Sequence, residues 1–236
     1  MTRAVGHRGD PYRRRENTLA SLRSAWRSGA DAAEVDVRLT RDRVPVLLHD
    51  ATLQRLWGRD RPLASLSSAE VRELTAGRVP TLEEALAATE GRRLLLDLPG
   101  APDDAAVRRI VEVVRSQGAS DRVEYCAGAP AMLAVRAVDA RAEIALTWTS
   151  SAPPRPALMD AVRPRWLNYA FALVDGPLVE RIHHDGRLVS VWTPDTRRSM
   201  RRLTDAGVDS ITTNRVDVLR ALLERGPRQP AEPTTG

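Results

Sequence analysis

His7 and His49 are two of only four histidines in a chain of 236 residues, and each stands just beyond a short apolar, β-prone segment, RAVG at 3–6 and VPVLL at 44–48. Imidazole titrates near pH ~6.5, so two of them brought together supply the acid and the base of a proton-transfer reaction at neutral pH. Glu34 and Asp36 lie two apart in AAEVDV, flanked by Ala33, Val35 and Val37. Extended backbone alternates its side chains, so both carboxylates share one face and the apolar residues the other. With the valines turned outward, the two acids point inward, where like charges are costly unless a cation neutralises them. Hard oxygen ligands of this kind suit a divalent cation, Mg²⁺ or Ca²⁺, with Asp97 at the end of RLLLDL as a third ligand from a neighbouring strand. A salt-bridge network with Arg8 or Arg38 fits the same pattern. Arg8-Gly9 forms a loop in which a guanidinium grips a phosphate while glycine lets the backbone approach closely. Trp192 and Tyr169 are candidates for apolar walls of such a site, or for ordinary packing. His183-His184, before Asp185-Gly186, read as helix-end surface residues.

These residues need elements to hold them. Eight strand candidates run along the chain, at 3–6, 32–37, 93–98, 122–126, 143–148, 166–170, 188–193 and 209–213, alternating with helical patterns such as 18–28 and 216–224. That alternation predicts a parallel sheet with crossover helices, and eight βα units in about 225 residues match an α/β fold of the (β/α)8 TIM-barrel type. An open doubly wound sheet is the alternative. Residues 44–48 follow the second strand after too few residues for a parallel crossover, which predicts a β-hairpin in the connection after strand 2. Helices near 67–76 and 81–89 follow it. Asn17 or Thr18 is the expected cap of the first helix and Gly29 its terminator. In a barrel the carboxyl ends of the strands carry the active site, so His7 and Asp97 are expected at one mouth, with the hairpin returning His49 to it.

Composition narrows the classes. With 42% hydrophobic and 28% charged residues the chain buries a substantial core, which excludes a wholly disordered or collagen-like protein. A single domain over 1–224 is expected, followed by a disordered, proline-rich tail over 225–236. No run of ~18 apolar residues and no apolar leader is present, so a cytoplasmic location without stable membrane association is the expectation. The lone Cys126 excludes an internal disulfide and a multi-cysteine zinc site, and reads as a small core residue. All 36 basic residues are arginine, yet the net charge is only +5, which gives no basis for nucleic-acid binding. Arg13-Arg14-Arg15 is either a solvated loop or a lure for an anionic substrate.

The ordered set His7-Arg8-Gly9, Glu16-Asn17-Thr18, Gly29-Ala30-Asp31, Glu34-Val35-Asp36-Val37, Thr40, Asp42, Val46, His49-Asp50, Leu53 and Arg55 resembles the glycerophosphodiester phosphodiesterases, of the phospholipase-C-like phosphodiesterase superfamily. PTLEEAL at 80–86, Trp192-Thr193 and GVDSITTN at 207–214 extend the resemblance over about residues 3–217. It implies metal-dependent hydrolysis of a small glycerophosphodiester to glycerol 3-phosphate and an alcohol on a (β/α)8 barrel. Carried over by position, Glu34, Asp36 and Asp97 look like metal ligands, Arg8 and Trp192 like substrate contacts, and His7 and His49 like the acid–base pair. Three positions depart from the family pattern. Asp97-Leu98-Pro99 replaces a usual Glu-x-Lys, Asn214 stands where aspartate is general, and Asp195 where asparagine is frequent. A barrel that only binds a phosphorylated metabolite, and a phosphodiesterase acting on lysophospholipids, are the alternatives. Turnover on phosphodiesters separates the first of these, and relative rates on the two substrates the second.

Overall fold

The computed structural model describes residues 1–100 and 102–225. Its strands are β1 (Arg3–Gly6), β2 (Ala32–Leu39), β3 (Pro45–Leu47), β4 (Thr52–Leu53), β5 (Arg59–Pro62), β6 (Arg93–Asp97), β7 (Val123–Ala127), β8 (Glu143–Trp148), β9 (Trp166–Ala170), β10 (Leu188–Trp192) and β11 (Ser210–Thr213). Its helices are α1 (Leu19–Arg27), α2 (Gln54–Trp57), α3 (Ser68–Leu74), α4 (Leu82–Ala88), α5 (Asp104–Ser116), α6 (Ala129–Val138), α7 (Pro156–Val162), α8 (Gly176–His184), α9 (Arg197–Asp205) and α10 (Val216–Glu224).

Strands β1, β2 and β6 to β11 are all parallel, and β1 closes the sheet by pairing with β2 on one side and β11 on the other. The result is a (β/α)8 barrel, with strand positions within two residues of those expected. Alternation along β2 sorts its side chains. Ala33, Val35 and Val37 join the apolar layer beneath the helices, leaving Glu34 and Asp36 to the interior. The parallel register sets Asp36 beside Asp97 of β6. At the opposite end, Arg3 pairs with Glu124 and Arg93 with Glu143, so charge is neutralised where the barrel floor meets solvent.

The connection between β2 and β6 is an inserted layer with its own core. β3 runs antiparallel to the far end of β2, with Val37 opposite Leu47 and Leu39 opposite Pro45. Val46, Leu48, Leu53, Leu63, Leu66, Val71 and Val79 bury one another beneath it, and α3 and α4 each start on a capping box, Ser67 with Glu70 and Thr81 with Glu84. The β4–β5 ribbon in this layer was not expected, because two residues of strand carry no readable alternation. Thr18, not Asn17, caps α1 by accepting from the Ser21 N–H, and Gly29 follows the helix with φ +87°. Among the described residues no helix is long and apolar enough to cross a membrane. Of the proline-rich segment 225–236, residues 226–236 lie outside the described residues.

Candidate active site

Three carboxylates meet at the C-terminal mouth. Glu34, Asp36 and Asp97 each present an oxygen within 4.8 Å of the others, with Glu34 and Asp36 5% and 2% exposed. The β1 loop reaches across to them. Arg8 has φ +54° and Gly9 φ +90°, and a Cβ on Gly9 would fall 2.4 Å from the Ser21 hydroxyl, so only glycine fits this tight approach to α1. The turn aims the Arg8 backbone N–H at Glu34 Oε2, 2.7 Å away. Asn17, also left-handed at φ +54°, donates from Nδ2 to Asp36 Oδ2 at 2.8 Å, and its Oδ1 accepts the Asp36 N–H at 3.1 Å. Arg8 Nε lies 3.0 Å from the same Asp36 oxygen, but its N–H is not directed at it; the contact is coulombic, and the buried donor has no hydrogen-bond partner among the described residues.

One guanidinium does not neutralise three carboxylates, two of them buried and Asp97 partly so. Burial, and then the charges of Asp36 and Asp97, raise Glu34 well above the ordinary carboxylate range. Burial and Asp36 push Asp97 up to about 7, against the opposing pull of His49 and Arg8. A raised pKa marks uncompensated negative charge in the cluster, and an all-oxygen donor set from two adjacent strands fits a divalent cation that would supply the missing positive charge.

The histidines are oriented by different partners. His7 Nδ1 lies 2.8 Å from Asn214 Oδ1, while Asn214 donates through its backbone N–H and Nδ2 to Asp195, at 2.9 and 2.7 Å. A carboxylate only accepts, so the Asn214 amide must turn its NH₂ to Asp195 and its oxygen to His7. That assigns the His7 proton to Nδ1 and leaves Nε2 bare, 3.9 Å from Glu34. Burial lowers the His7 pKa and outweighs the hydrogen bond to Asn214. His49 instead places Nδ1 2.7 Å from the Asp50 carboxylate, its side chain 41% exposed. Burial works against ionisation of Asp50, but hydrogen bonds from Arg55 and His49 hold its carboxyl below the ordinary range. Arg55 continues the chain by donating to Asp50 at 2.6 Å and to Glu16 at 2.6 and 3.1 Å, and Glu16 accepts from Arg8 at 2.8 Å. His49 is thereby tied back to the loop that carries His7.

A cavity of about 380 Å³ joins these groups, lined by His7, Arg8, Glu34, Asp36, His49 and Asp97 on one side and by Cys126, Thr147, Asn168, Trp192 and Thr212 on the other. All seven residues singled out from the sequence therefore line one space. A larger, shallower depression of about 780 Å³ between Arg13, Arg14, Arg27 and Asp217 contains no histidine, and its one carboxylate pairs with Arg13. His183 sits at the end of α8, bonded to Asp209, away from the mouth. Tyr169 is packing, whereas Trp192 stands at the rim, 38% exposed.

The glycerophosphoryl diester phosphodiesterase family model matches residues 7–218, which spans this whole constellation. The chain belongs to that family. It is a phosphoric diester hydrolase by that membership. A glycerophosphodiester phosphodiesterase of Caldanaerobacter subterraneus subsp. tengcongensis is 26% identical over 95% of this chain and 99% of its own length. Two solved structures share the fold. An Oleispira antarctica phosphodiesterase in complex with sn-glycerol-3-phosphate has TM-score 0.82 and 24% identity over 95% of this chain and 97% of its own. A Thermotoga maritima glycerophosphodiester phosphodiesterase has TM-score 0.81 and 20% identity over 94% and 98%.

Several members of the family chain's site escape sequence reasoning. Asn17 reads as a helix cap but orients Asp36. Asp195 and Asn214, noted only as departures from the family pattern, form the support of His7. Cys126 reads as core filler, yet it faces the cavity, with Thr147 Oγ1 3.3 Å and Asn168 Nδ2 3.2 Å from its sulfur. Only the alternation of β7, putting Cys126 on the inward face, could have signalled it.

Proposed function

We propose that this chain hydrolyses glycerophosphodiesters to glycerol 3-phosphate and an alcohol, with a divalent cation held by Glu34, Asp36 and Asp97 and proton transfer divided between His7 and His49. A hard dication of the Mg²⁺ or Ca²⁺ type, when bound, withdraws charge from the phosphoryl oxygens and so stabilises the charge that develops during displacement. The observation that carries the reading is the unlike wiring of two imidazoles across one cavity from three uncompensated carboxylates.

Arg8 lines the cavity and adds a second positive group at the phosphoryl site. His7, kept neutral by burial and presenting a bare Nε2, is suited to take the proton of the attacking oxygen. His49, backed by an ionised carboxylate, is suited to hold a proton and deliver it to the departing alkoxide. If the attacking oxygen is the glycerol hydroxyl, a cyclic phosphate forms as the alcohol leaves and the rings exchange these roles while water opens it; if it is water, the proton returns from His7 to His49 through solvent. Trp192 gives the substrate an apolar wall at the rim.

The test is direct. Purified protein with Mg²⁺ or Ca²⁺ is incubated with glycerophosphoethanolamine, and glycerol 3-phosphate release is followed by an enzyme-coupled assay beside Glu34→Gln and His49→Ala. Release by the wild type alone supports the reading. Release that survives either substitution at wild-type rate contradicts it.

A further inference from the structure

Arg38 is the one charged residue on the inward row of β2 that the carboxylate cluster does not use. It stands two positions beyond Asp36, half-buried, and its Nε donates to the backbone carbonyl of His49 at 2.7 Å. Its terminal nitrogens have no hydrogen-bond or carboxylate partner among the described residues, and they lie against Gly100, where a Cβ would come within 3.1 Å of one of them. Gly100 has φ +78°, so the chain turns away here and leaves room for the guanidinium.

The same guanidinium lines a second cavity of about 200 Å³, whose other walls include Leu39, Ala51, Leu63, Pro99 and Pro102. Asp103 also borders it, but that carboxylate caps α5 and pairs with Arg43. Among the described residues Arg38 is thus the only cation lining a largely apolar pocket. Three backbone segments contribute to both spaces, each shifted by two residues: Asp36 then Arg38, His49 then Ala51, Asp97 then Pro99. Of these steps the one from Asp36 to Arg38 lies within β2, where two residues of extended strand advance ~7 Å, about the reach of a two- or three-carbon alcohol esterified to phosphorus.

We propose that this pocket is the subsite for the far end of the leaving alcohol, and that Arg38 selects alcohols ending in an anionic group. A planar fork with two free nitrogens matches a carboxylate in bidentate geometry, while the proline and leucine walls take the short carbon linker. The inference rests on the hydrolytic reading above and assigns its substrate class.

Glycerophosphoserine and glycerophosphoethanolamine differ only in one carboxylate, which makes them the probe. The wild type is expected to prefer the serine diester in kcat/KM by about tenfold, the scale of one charge-assisted contact. Arg38→Gln is expected to collapse that ratio towards one. Taking the ratio cancels any effect of the substitution on His49, since both substrates share it. Ala64→Glu, at the exposed rim of the pocket, sets a negative charge there without touching His49 and is expected to lower the ratio in the same direction. Equal rates on the two diesters in the wild type, or a preference that survives both substitutions, overturns the assignment and leaves the hydrolytic reading standing. No turnover of either diester overturns both.

Discussion

Replacing Asp97 by asparagine is expected to make the metal-free protein more stable, not less. Burial and the neighbouring Asp36 push the Asp97 pKa up to about 7, against an ordinary value of 3.8. The folded state therefore binds this proton more tightly than the unfolded chain, and metal-free stability falls as pH rises from about 4 through 7. With 1.36 kcal/mol for each pKa unit, an ionised Asp97 costs on the order of 4 kcal/mol at pH 8 and about 2 kcal/mol at pH 5. An asparagine of the same shape carries no charge to desolvate. In a protein of this length the difference at pH 8 corresponds to a rise in Tm on the order of 10 °C. Urea unfolding in excess chelator, followed through the fluorescence of the five tryptophans, measures the gap directly. A saturating divalent cation should reverse the order, because it stabilises the folded wild type by mass action and binds the variant weakly. A variant no more stable than wild type at pH 8 in chelator, or one whose advantage is the same at pH 5, refutes the reasoning.

Asn214→Asp places a carboxylate where a neutral amide now holds His7. It favours the imidazolium, raises the His7 pKa and moves the acid limb of kcat/KM to higher pH by about one unit; an unmoved limb means that His7 is not the titrating base. His49→Ala should lower kcat on glycerophosphoethanolamine by about 10²–10⁴-fold, and far less on a 4-nitrophenyl phosphodiester, whose leaving group departs without a proton. Equal losses on both substrates count against His49 as the acid. Asn17→Ala removes the side chain that orients Asp36 and should weaken divalent-cation affinity by about 10–100-fold in calorimetry, with the fold retained by circular dichroism.

Local rules made much of this molecule readable. Glu34 and Asp36 lie on one face because strand alternation is fixed at two residues, and the valines beside them say which face is inward. The turn of three residues before 44–48 left the chain no course but a hairpin, and that hairpin returns His49 to the mouth. What stayed hidden depends on closure of the barrel. Asp195 and Asn214 meet only because β10 and β11 are neighbours, and His7 joins them only because β1 pairs with β11, 207 positions away in sequence. Asn17 was misread for a different reason. Asparagine and threonine both cap helices, and nothing local says that Thr18 takes the cap while Asn17, in a left-handed conformation, turns to Asp36. Arg38 reads from sequence as a partner for the carboxylates, yet its contacts are the His49 carbonyl and the Gly100 loop.

The most direct measurement is a cation titration on chelator-stripped enzyme, with ³¹P NMR following glycerophosphoethanolamine. Glycerol 3-phosphate should be absent without added metal, appear in a saturable manner as Mg²⁺ or Ca²⁺ is returned, and stay absent for Glu34→Gln at the same concentrations. Undiminished turnover by the stripped protein would show that the three carboxylates serve some purpose other than holding a cation.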